Sequence, residues 1–288
     1  MSATASRTPL AAQAPTRDAV MAQSGSENFP VASYLLGRRQ RSQLLAVYGF
    51  ARLVDDLGDE ARGDRVALLD WLGGELDRLY AGQPLEHPVM HALAPVVAEC
   101  RLPEEPFRRL IEANRRDQTV VRYETFDELL GYCQLSAAPV GELVLHVFGA
   151  ATAERVQLSD RICAALQVTE HLQDVAEDYQ RGRVYLPQED LRTFGCQESD
   201  LANDEAAGEP VRRLIAHEAE RARSLLSAGA PLTRTLSPRP RAAVAGFIAG
   251  GRAALDGLGR VGYRITATPP PASKRSFAAA WGRAVMGR

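Results

Sequence analysis

The stretch HLQDVAEDYQRGRVYLP, residues 171–187, decides both the fold and the site of this chain. Asp174 and Asp178 stand four residues apart in it, and Arg181 and Arg183 follow directly. Residues at positions i and i+4 of an α-helix lie on the same side of the helix. The stretch therefore predicts a helix that presents two carboxylates on one face and ends in a cationic loop.

A second stretch, RLVDDLGDE at residues 52–60, repeats this design. One face of a helix predicted over residues 41–60 carries, at intervals of three or four, Leu45, Tyr48, Arg52, Asp55 and Asp59. The later helix, predicted from an N-cap at Ser159 or Asp160 to about Tyr179, carries on one face Cys163, Gln167, Glu170, Asp174 and Asp178. Because apolar residues flank the polar line, we expect it to face an internal, wetted cavity.

Paired carboxylates of this kind suit a divalent cation. Mg²⁺ prefers oxygen ligands, keeps several waters and is commonly completed by substrate phosphates. One such pair is usually a solvated helix face, but two pairs on separate helices, each near arginines, are much harder to explain in that way. The pattern predicts a diphosphate clamped through Mg²⁺, with Arg52, Arg181 and Arg183 neutralising the remaining charge. The diphosphate would leave, and an apolar cavity would receive the carbocation.

The rest of the chain also predicts helices. The capping box TFDE starts one at Thr125, and the last long helix is predicted over residues 239–258. Small residues at 137–141, including Val140 and Gly141, predict a kink that leaves room beside the backbone for a substrate. With no repeat and no long linker, the chain is predicted to be one all-α domain.

Composition excludes several classes of function. The net charge of −2 gives no basic field, so we expect no nucleic-acid partner. No apolar run approaches the roughly 20 residues that cross a bilayer. The four cysteines form no CxxC pair and are read as thiols of a reduced compartment, which predicts a cytoplasmic protein.

The two ends of the chain differ from its middle. Residues 1–25 are rich in Ala, Ser, Thr and Pro, and we expect a disordered tail. Residues 266–288 form a basic tail with Phe277, Trp281 and Met286 and no acid. Such a segment can lie against the anionic inner face of a membrane as a peripheral contact, and a frayed tail is an equal alternative.

Four segments resemble the squalene and phytoene synthase family. YGFARLVDDLGDE (48–60) and QVTEHLQDVAEDYQRGRVYLP (167–187) are similar to its two aspartate-rich motifs. RRDQTVVRYETFDELLGYCQLSAAPVGELVLHVFG (115–149) resembles the segment between them, and ENFPVASYLL (27–36) resembles its N-terminal entry helix. The resemblance covers residues 26–265 and implies a class I isoprenoid synthase fold, a helical bundle around a central cavity.

The resemblance also implies roles for individual residues. Mg²⁺ ligation is implied for Asp55, Asp59, Asp174 and Asp178, which with Arg52 and Tyr48 are the catalytic candidates. Substrate contacts are implied for Phe29, Tyr48, Arg52, Gln167, Arg181 and Arg183. The resemblance also implies that no nicotinamide cofactor takes part, because water rather than hydride ends the reaction. Many relatives carry Asn where this chain has Glu170, a metal-ligand position. Many also carry Asn where this chain has Ala138. Tyr185 is a further candidate, because its ring can steady a cation in the cavity.

Within the family, ENFPVAS and the pair Gln173-Asp174 resemble the hydroxysqualene synthases of bacterial hopanoid pathways, whereas condensing relatives more often carry Arg before that aspartate. The expected reaction is Mg²⁺-assisted ionisation of presqualene diphosphate, rearrangement, and capture by water to give hydroxysqualene. Head-to-head condensation of two prenyl diphosphates to presqualene diphosphate, squalene or phytoene is the first alternative. A non-catalytic relative would have lost one aspartate pair, and a ferritin-like di-metal bundle would need Glu-x-x-His pairs.

Three further residues leave alternatives open. Asp117 and Arg122 are predicted to form a structural ion pair or to reach the diphosphate. His171 stands beside the second motif and is read as a neutral spectator, with the positioning of a water as the alternative. The other histidines share no spacing with a carboxylate that indicates a metal site or triad.

Overall fold

The computed structural model describes residues 10–22, 36–203, 207–265 and 274–285, and these are mostly helical. The helices are α1 (Leu10–Gln13), α2 (Arg17–Ala22), α3 (Arg38–Asp55), α4 (Arg65–Tyr80), α5 (Pro88–Cys100), α6 (Glu105–Arg116), α7 (Phe126–Ser136), α8 (Ala138–Val147), α9 (Ala153–Gln173), α10 (Val175–Gln180), α11 (Gln188–Phe194), α12 (Glu209–Gly229), α13 (Leu232–Thr235), α14 (Pro238–Arg260) and α15 (Lys274–Val285). A π-helical turn covers Asp56–Glu60 and a 3₁₀ turn covers Glu198–Leu201. Within the described residues the one strand-like pairing is an isolated bridge between Arg122 and Val184, so the all-α prediction is confirmed.

Two hydrophobic clusters hold the bundle together. One unites α3 to α6 with part of α8, and at its centre Phe50 and Phe107 meet edge to face with ring centroids 4.9 Å apart. The other joins α7, α9, α12 and α14. A fully buried Phe or Leu side chain contributes about 1.5–3 kcal/mol to stability. The two clusters therefore form two packed halves, and the aspartate motifs lie between them, one on each half.

Side-chain caps fix where several helices begin. The Thr125 hydroxyl accepts a hydrogen bond from the Glu128 N–H at 3.2 Å, which confirms the predicted start of α7. The predicted start of the next long helix at Ser159 or Asp160 is wrong. Thr152 caps it instead, accepting from the Arg155 N–H at 3.3 Å, because the helical pattern already begins in the residues before Ser159.

The predicted kink is present between α7 and α8. Ala137 leaves helical geometry there at φ −115° and ψ −45°, and Pro139 stands in the first turn of α8. Gly141 lets α8 approach α9 closely, because a Cβ at this position would lie 2.3 Å from Ser159 Oγ and 2.5 Å from Cys163 Sγ. The small residues of this segment thus serve helix packing.

Residues 10–22 differ from the predicted disordered tail. They form α1 and α2, Val20 is fully buried, and His87 Nε2 lies 3.0 Å from the Pro15 carbonyl oxygen. The reason is that Val20 completes the hydrophobic cluster around α3.

The C-terminal helix α15 packs along α14. Trp281 Nε1 donates to the Ala242 carbonyl at 3.0 Å, and Ala280 and Ala284 are buried. The apolar residue Trp281, predicted to meet either a membrane or solvent, is therefore turned toward the protein. Met286 lies outside the described residues, and membrane contact stays a prediction. In the described part of the chain, every helix is too short or too polar to span a bilayer.

Candidate active site between the two aspartate motifs

A cavity of about 730 Å³ lies where the two motifs face each other. Ten of the residues predicted for the site line it: Arg52, Asp55, Asp59, Gln167, Glu170, Asp174, Asp178, Arg181, Arg183 and Tyr185. Side chains that the site prediction did not include also line it: Glu60, Arg65, Asn114, Asp117, Tyr132, Ser136 and His171. The two halves of the bundle thus contribute one carboxylate pair each to a shared space.

The first motif is built on a π-helical turn, where the sequence predicts a regular α-helix. The Ala61 N–H donates to the Asp56 carbonyl at 2.9 Å, an i to i+5 bond. Gly58 is required in this turn, because a Cβ there would lie 2.0 Å from Asn114 Oδ1. Gln118, two residues beyond the end of α6, donates from Nε2 to the Gly58 carbonyl at 3.0 Å and so helps to hold the turn in place.

Neighbouring side chains form hydrogen bonds and ion pairs with most of the carboxylates of the first motif. Asn114 Nδ2 donates to Asp55 Oδ1 at 3.1 Å. Arg52 donates to Asp56 at 2.8 Å and to Glu60 at 2.9 Å. The Asp55 carboxylate reaches the cavity solvent, yet burial raises its pKa to about 7 against the opposing effects of Asn114 and Arg52. A cation in the cavity would favour the charged form of Asp55.

The second motif lies at a break between two helices. The helix predicted to run to Tyr179 ends at Gln173, Asp174 takes φ −107° and ψ 16°, and α10 begins at Val175. Asp174, Glu177 and Asp178 crowd three carboxylates into one turn, and their repulsion opposes a regular helix. Burial, reinforced by Asp178 and Glu177, raises the pKa of Asp174 to about 6.

The loop after the second motif carries Arg183 across the cavity to the first. Gly182 turns the chain at φ +81°, a left-handed conformation that favours glycine. The Arg183 N–H donates to the Asp178 carbonyl at 2.8 Å, and its guanidinium donates to Asp59 Oδ1 at 2.7 Å. Arg181 instead pairs with Glu177 at 2.7 Å and is 62% exposed, so it lies at the rim.

Arg122 anchors this loop and does not pair with Asp117. Its guanidinium donates to both carboxylate oxygens of Glu198, at 2.7 and 2.8 Å, and to the Gly182 carbonyl at 2.6 Å. Asp117 lines the cavity and accepts from the Tyr132 hydroxyl at 2.6 Å. The ion pair predicted between Asp117 and Arg122 is therefore wrong, and the alternative, contact with the diphosphate, stays a prediction.

Aromatic rings form part of the cavity wall. Tyr185 and His171 are stacked with ring centroids 3.7 Å apart, and Tyr132 packs against Tyr185 at 5.8 Å. Asp117 Oδ1 and Ser136 Oγ are buried beside them without a hydrogen-bond partner in the described structure. This wall combines ring faces, which attract cations, with polar atoms able to bind an incoming ligand.

Three predicted site residues are not among those that line the cavity, and a fourth, Phe29, lies outside the described residues. Tyr48 is buried on α3, and Val140 packs into the hydrophobic cluster around α3. Gly141 contacts α9, as described above. The room predicted beside the backbone at Gly141 is therefore taken up by α9, and substrate contact at Val140 and Gly141 stays a prediction.

Asn114 was missed, although the sequence carried a signal for it. It falls on the buried face of α6, one turn after Leu110, where an amide is unexpected. A polar residue at a core position needs a buried partner, which here is Asp55.

The residues present fit Mg²⁺. The cavity wall carries seven carboxylates and four guanidinium groups, a surplus of negative charge made of hard oxygen ligands. Within the described residues, the motif aspartates do not bring three carboxylates within 4.8 Å of one another. Such an open arrangement leaves coordination positions for water and substrate phosphates.

Comparisons with known proteins agree with this geometry. The squalene/phytoene synthase family model matches residues 22–277. A hydroxysqualene synthase of Rhodopseudomonas palustris is 38% identical over 210 residues, 72% of this chain and 70% of the relative. A phytoene synthase of Arthrospira platensis is 34% identical over 213 residues, 69% of this chain and 68% of the relative. The crystal structure of squalene synthase HpnC from Alicyclobacillus acidocaldarius superposes with a TM-score of 0.80 at 42% identity, covering 89% of this chain and 100% of that one.

Proposed function

The chain belongs to the squalene/phytoene synthase family, whose members are enzymes acting on isoprenoid diphosphates, and from that premise we propose that it is a hydroxysqualene synthase. The proposed reaction converts presqualene diphosphate and water into hydroxysqualene and diphosphate. The carbon–oxygen bond to the diphosphate breaks, the cyclopropylcarbinyl cation rearranges, and a water adds its oxygen to the cation and loses a proton. The observation that carries the proposal is the cavity with one aspartate pair on each side.

Four aspartates would hold the metal ions: Asp55 and Asp59 on one side, Asp174 and Asp178 on the other. Bound Mg²⁺ supplies charge that stabilises diphosphate as a leaving group. Glu170 lies on the same wall as the second pair, and we infer that it adds a further oxygen ligand where relatives carry an amide.

Arg183 is the arginine best placed to bind the diphosphate. Its guanidinium is 15% exposed and reaches from the second motif to Asp59 of the first. A guanidinium fixed between the two motifs can donate to phosphate oxygens held there. Arg52 turns toward Asp56 and Glu60, and we infer that it mainly orients the first motif.

The aromatic wall would serve the cation that remains. The ring faces of Tyr185 and Tyr132 can stabilise positive charge. Their packing also limits the number of water molecules that reach the cavity. Capture of the cation by one water then competes with few side reactions.

The test is incubation of the purified protein with Mg²⁺ and, separately, presqualene, farnesyl and geranylgeranyl diphosphate, with products identified by mass spectrometry. Hydroxysqualene from presqualene diphosphate alone is the expected result, and an Asp174→Asn preparation serves as the blank. A condensation product from farnesyl or geranylgeranyl diphosphate would overturn the hydroxysqualene assignment.

Head-to-head condensation is the second candidate function, because phytoene synthases are also among the relatives. It uses the same aspartates and a second prenyl diphosphate in place of water. The three substrates in the assay separate the two reactions directly.

A further inference from the structure

A second group of metal-ligating side chains lies outside the cavity, between α11 and α12. Asp190 comes from α11, and His217 and Glu218 come from α12. One ligand atom from each lies within 4.8 Å of the others. None of the three lines the cavity between the aspartate motifs.

Glu218 has a buried carboxylate oxygen that lacks a hydrogen-bond partner among the described residues. Its side chain is 1% exposed, and Oε1 accepts from Arg221 Nη1 at 2.9 Å. Oε2 is buried and has no hydrogen-bond partner in the described part of the chain. A buried acceptor without a donor is costly, and a buried carboxylate more so. This oxygen needs a proton or a cation.

Arg221 does not supply the missing charge. The same Nη1 atom donates to Asp190 Oδ2 at 2.6 Å, so one guanidinium serves two buried carboxylates. Its position is further fixed by the Phe126 ring, whose centroid lies 4.6 Å from the guanidinium carbon. With both carboxylates ionised, one negative charge of the pair is therefore uncompensated. Burial, reinforced by the neighbouring Asp190 carboxylate, raises the pKa of Glu218 to about 8 against the opposing effect of Arg221.

We propose that Asp190, His217 and Glu218 bind a divalent transition-metal ion of the zinc class, which ties α11 to α12. The imidazole selects this class over Mg²⁺, because zinc accepts nitrogen together with carboxylate oxygen. His217 Nε2 lies 4.0 Å from Asp190 Oδ1, and the His217 side chain is 42% exposed, which gives an ion access from solvent. Arg221 then orients the outer oxygens of both carboxylates.

The ion would also steady the active-site loop. Helix α11 begins at Gln188, five residues after Arg183, and α12 packs along α9, which leads into the second aspartate motif. Fixing α11 to α12 therefore limits movement of Arg183 relative to Asp174. The proposal does not depend on the identity of the substrate.

The test is a zinc titration of the chelator-stripped full chain by calorimetry, in a millimolar Mg²⁺ background that occupies the oxygen sites. We expect one zinc ion per chain and a thermal midpoint raised by about 2–4 °C. His217→Ala is expected to weaken zinc binding at least tenfold and to abolish the midpoint shift. The His217 side chain is 42% exposed and lies outside the buried core, so this variant is expected to keep the fold. His91→Ala, at another exposed histidine, is the matched control and should bind zinc like the parent.

Equal zinc affinity in the parent and His217→Ala would overturn the proposal, as would the absence of a saturable site. Either result would mean that Oε2 of Glu218 carries a proton and does not bind a metal ion. Glu218→Gln adds a second check, since it keeps the side-chain shape and removes the ligand charge. Loss of zinc binding in this variant with an unchanged far-UV spectrum is the expected outcome, and retained binding contradicts the site.

Discussion

The two aspartate motifs share one spacing but are neutralised in different ways. In the first, Asn114 donates to Asp55 and Arg183 donates to Asp59. In the second, the Asp174 carboxylate receives no hydrogen bond from the described residues, and Asp178 faces only His171 at 3.8 Å. The first motif is stabilised from within the protein, whereas the second carries surplus negative charge. The second motif should therefore depend more strongly on a bound cation.

The backbones of the two motifs differ as well. A π-helical turn held by Asn114 and Gln118 shapes the first, and a break at Asp174 shapes the second. The first is fixed by hydrogen bonds to another helix. The second is fixed mainly by the anchored loop that carries Arg183.

Replacing the least neutralised aspartate should have the largest effect. Asp174→Asn is expected to lower kcat/KM for the diphosphate substrate about 10³-fold, because several kcal/mol of metal-based stabilisation are lost. Steady-state kinetics over a range of Mg²⁺ concentrations measures this, and the Mg²⁺ requirement should rise. Asp55→Asn should cost somewhat less, since Asn114 already shares its charge.

Glu177→Gln is the control for this comparison. It removes a carboxylate from the same helical turn, but Glu177 is 59% exposed and pairs with Arg181. A change within about threefold is expected. A loss as large as that of Asp174→Asn would show that total charge, and not the cavity-facing carboxylate, sets the rate.

The contact between the motifs can be broken through Arg183. Arg183→Gln is expected to lower kcat/KM about 10²-fold, because it removes both a phosphate donor and the partner of Asp59. Kinetics on this variant and on Arg181→Gln, at the rim, tests the assignment. Arg181→Gln should change kcat/KM less than about fivefold. Equal losses in the two variants would contradict a specific role for Arg183.

Sequence spacing was sufficient for the residues that share a helix face. The i, i+4 rule found both aspartate pairs, and the sequence placed Arg183 next to the second. It could not reveal the π-helical turn, because that turn depends on contact between Gly58 and Asn114 across two helices. It also misassigned Arg122, whose partner Glu198 is brought near by the fold alone.

The room predicted beside the backbone at Gly141 was misjudged for a related reason. Small residues in a helix leave space for whatever packs nearest, and here that is α9. A pattern of small side chains identifies close approach without identifying the partner. Charged patterns were more informative, because buried charges must be paired or bind ions.

The π-helical turn offers a way to disturb the first motif alone. Gly58→Ala places a methyl group against Asn114 and should destabilise the fold by about 1–3 kcal/mol, as overpacking typically does. Denaturant unfolding measures this. Gly131→Ala on α7 has open space around it and should be neutral or stabilising by up to about 1 kcal/mol. Matching stability changes would mean that the close packing at Gly58 is not required.

The smallest effect, and the sharpest contrast between the motifs, should appear in the pH dependence of the metal-free protein. The ordinary pKa of an aspartate here is 3.8, and burial raises that of Asp55 to about 7 and that of Asp174 to about 6. A carboxyl whose pKa is raised by folding favours the folded state below pH 3.8 and loses that contribution as pH rises through the raised value.

In chelator, the stability of the parent should therefore fall between about pH 4 and pH 7. Asp55→Asn should flatten this fall up to about pH 7, and Asp174→Asn only up to about pH 6, each by one or two degrees in thermal midpoint. Identical profiles for the two variants would contradict the stronger effect of burial at Asp55, which outweighs the hydrogen bond from Asn114.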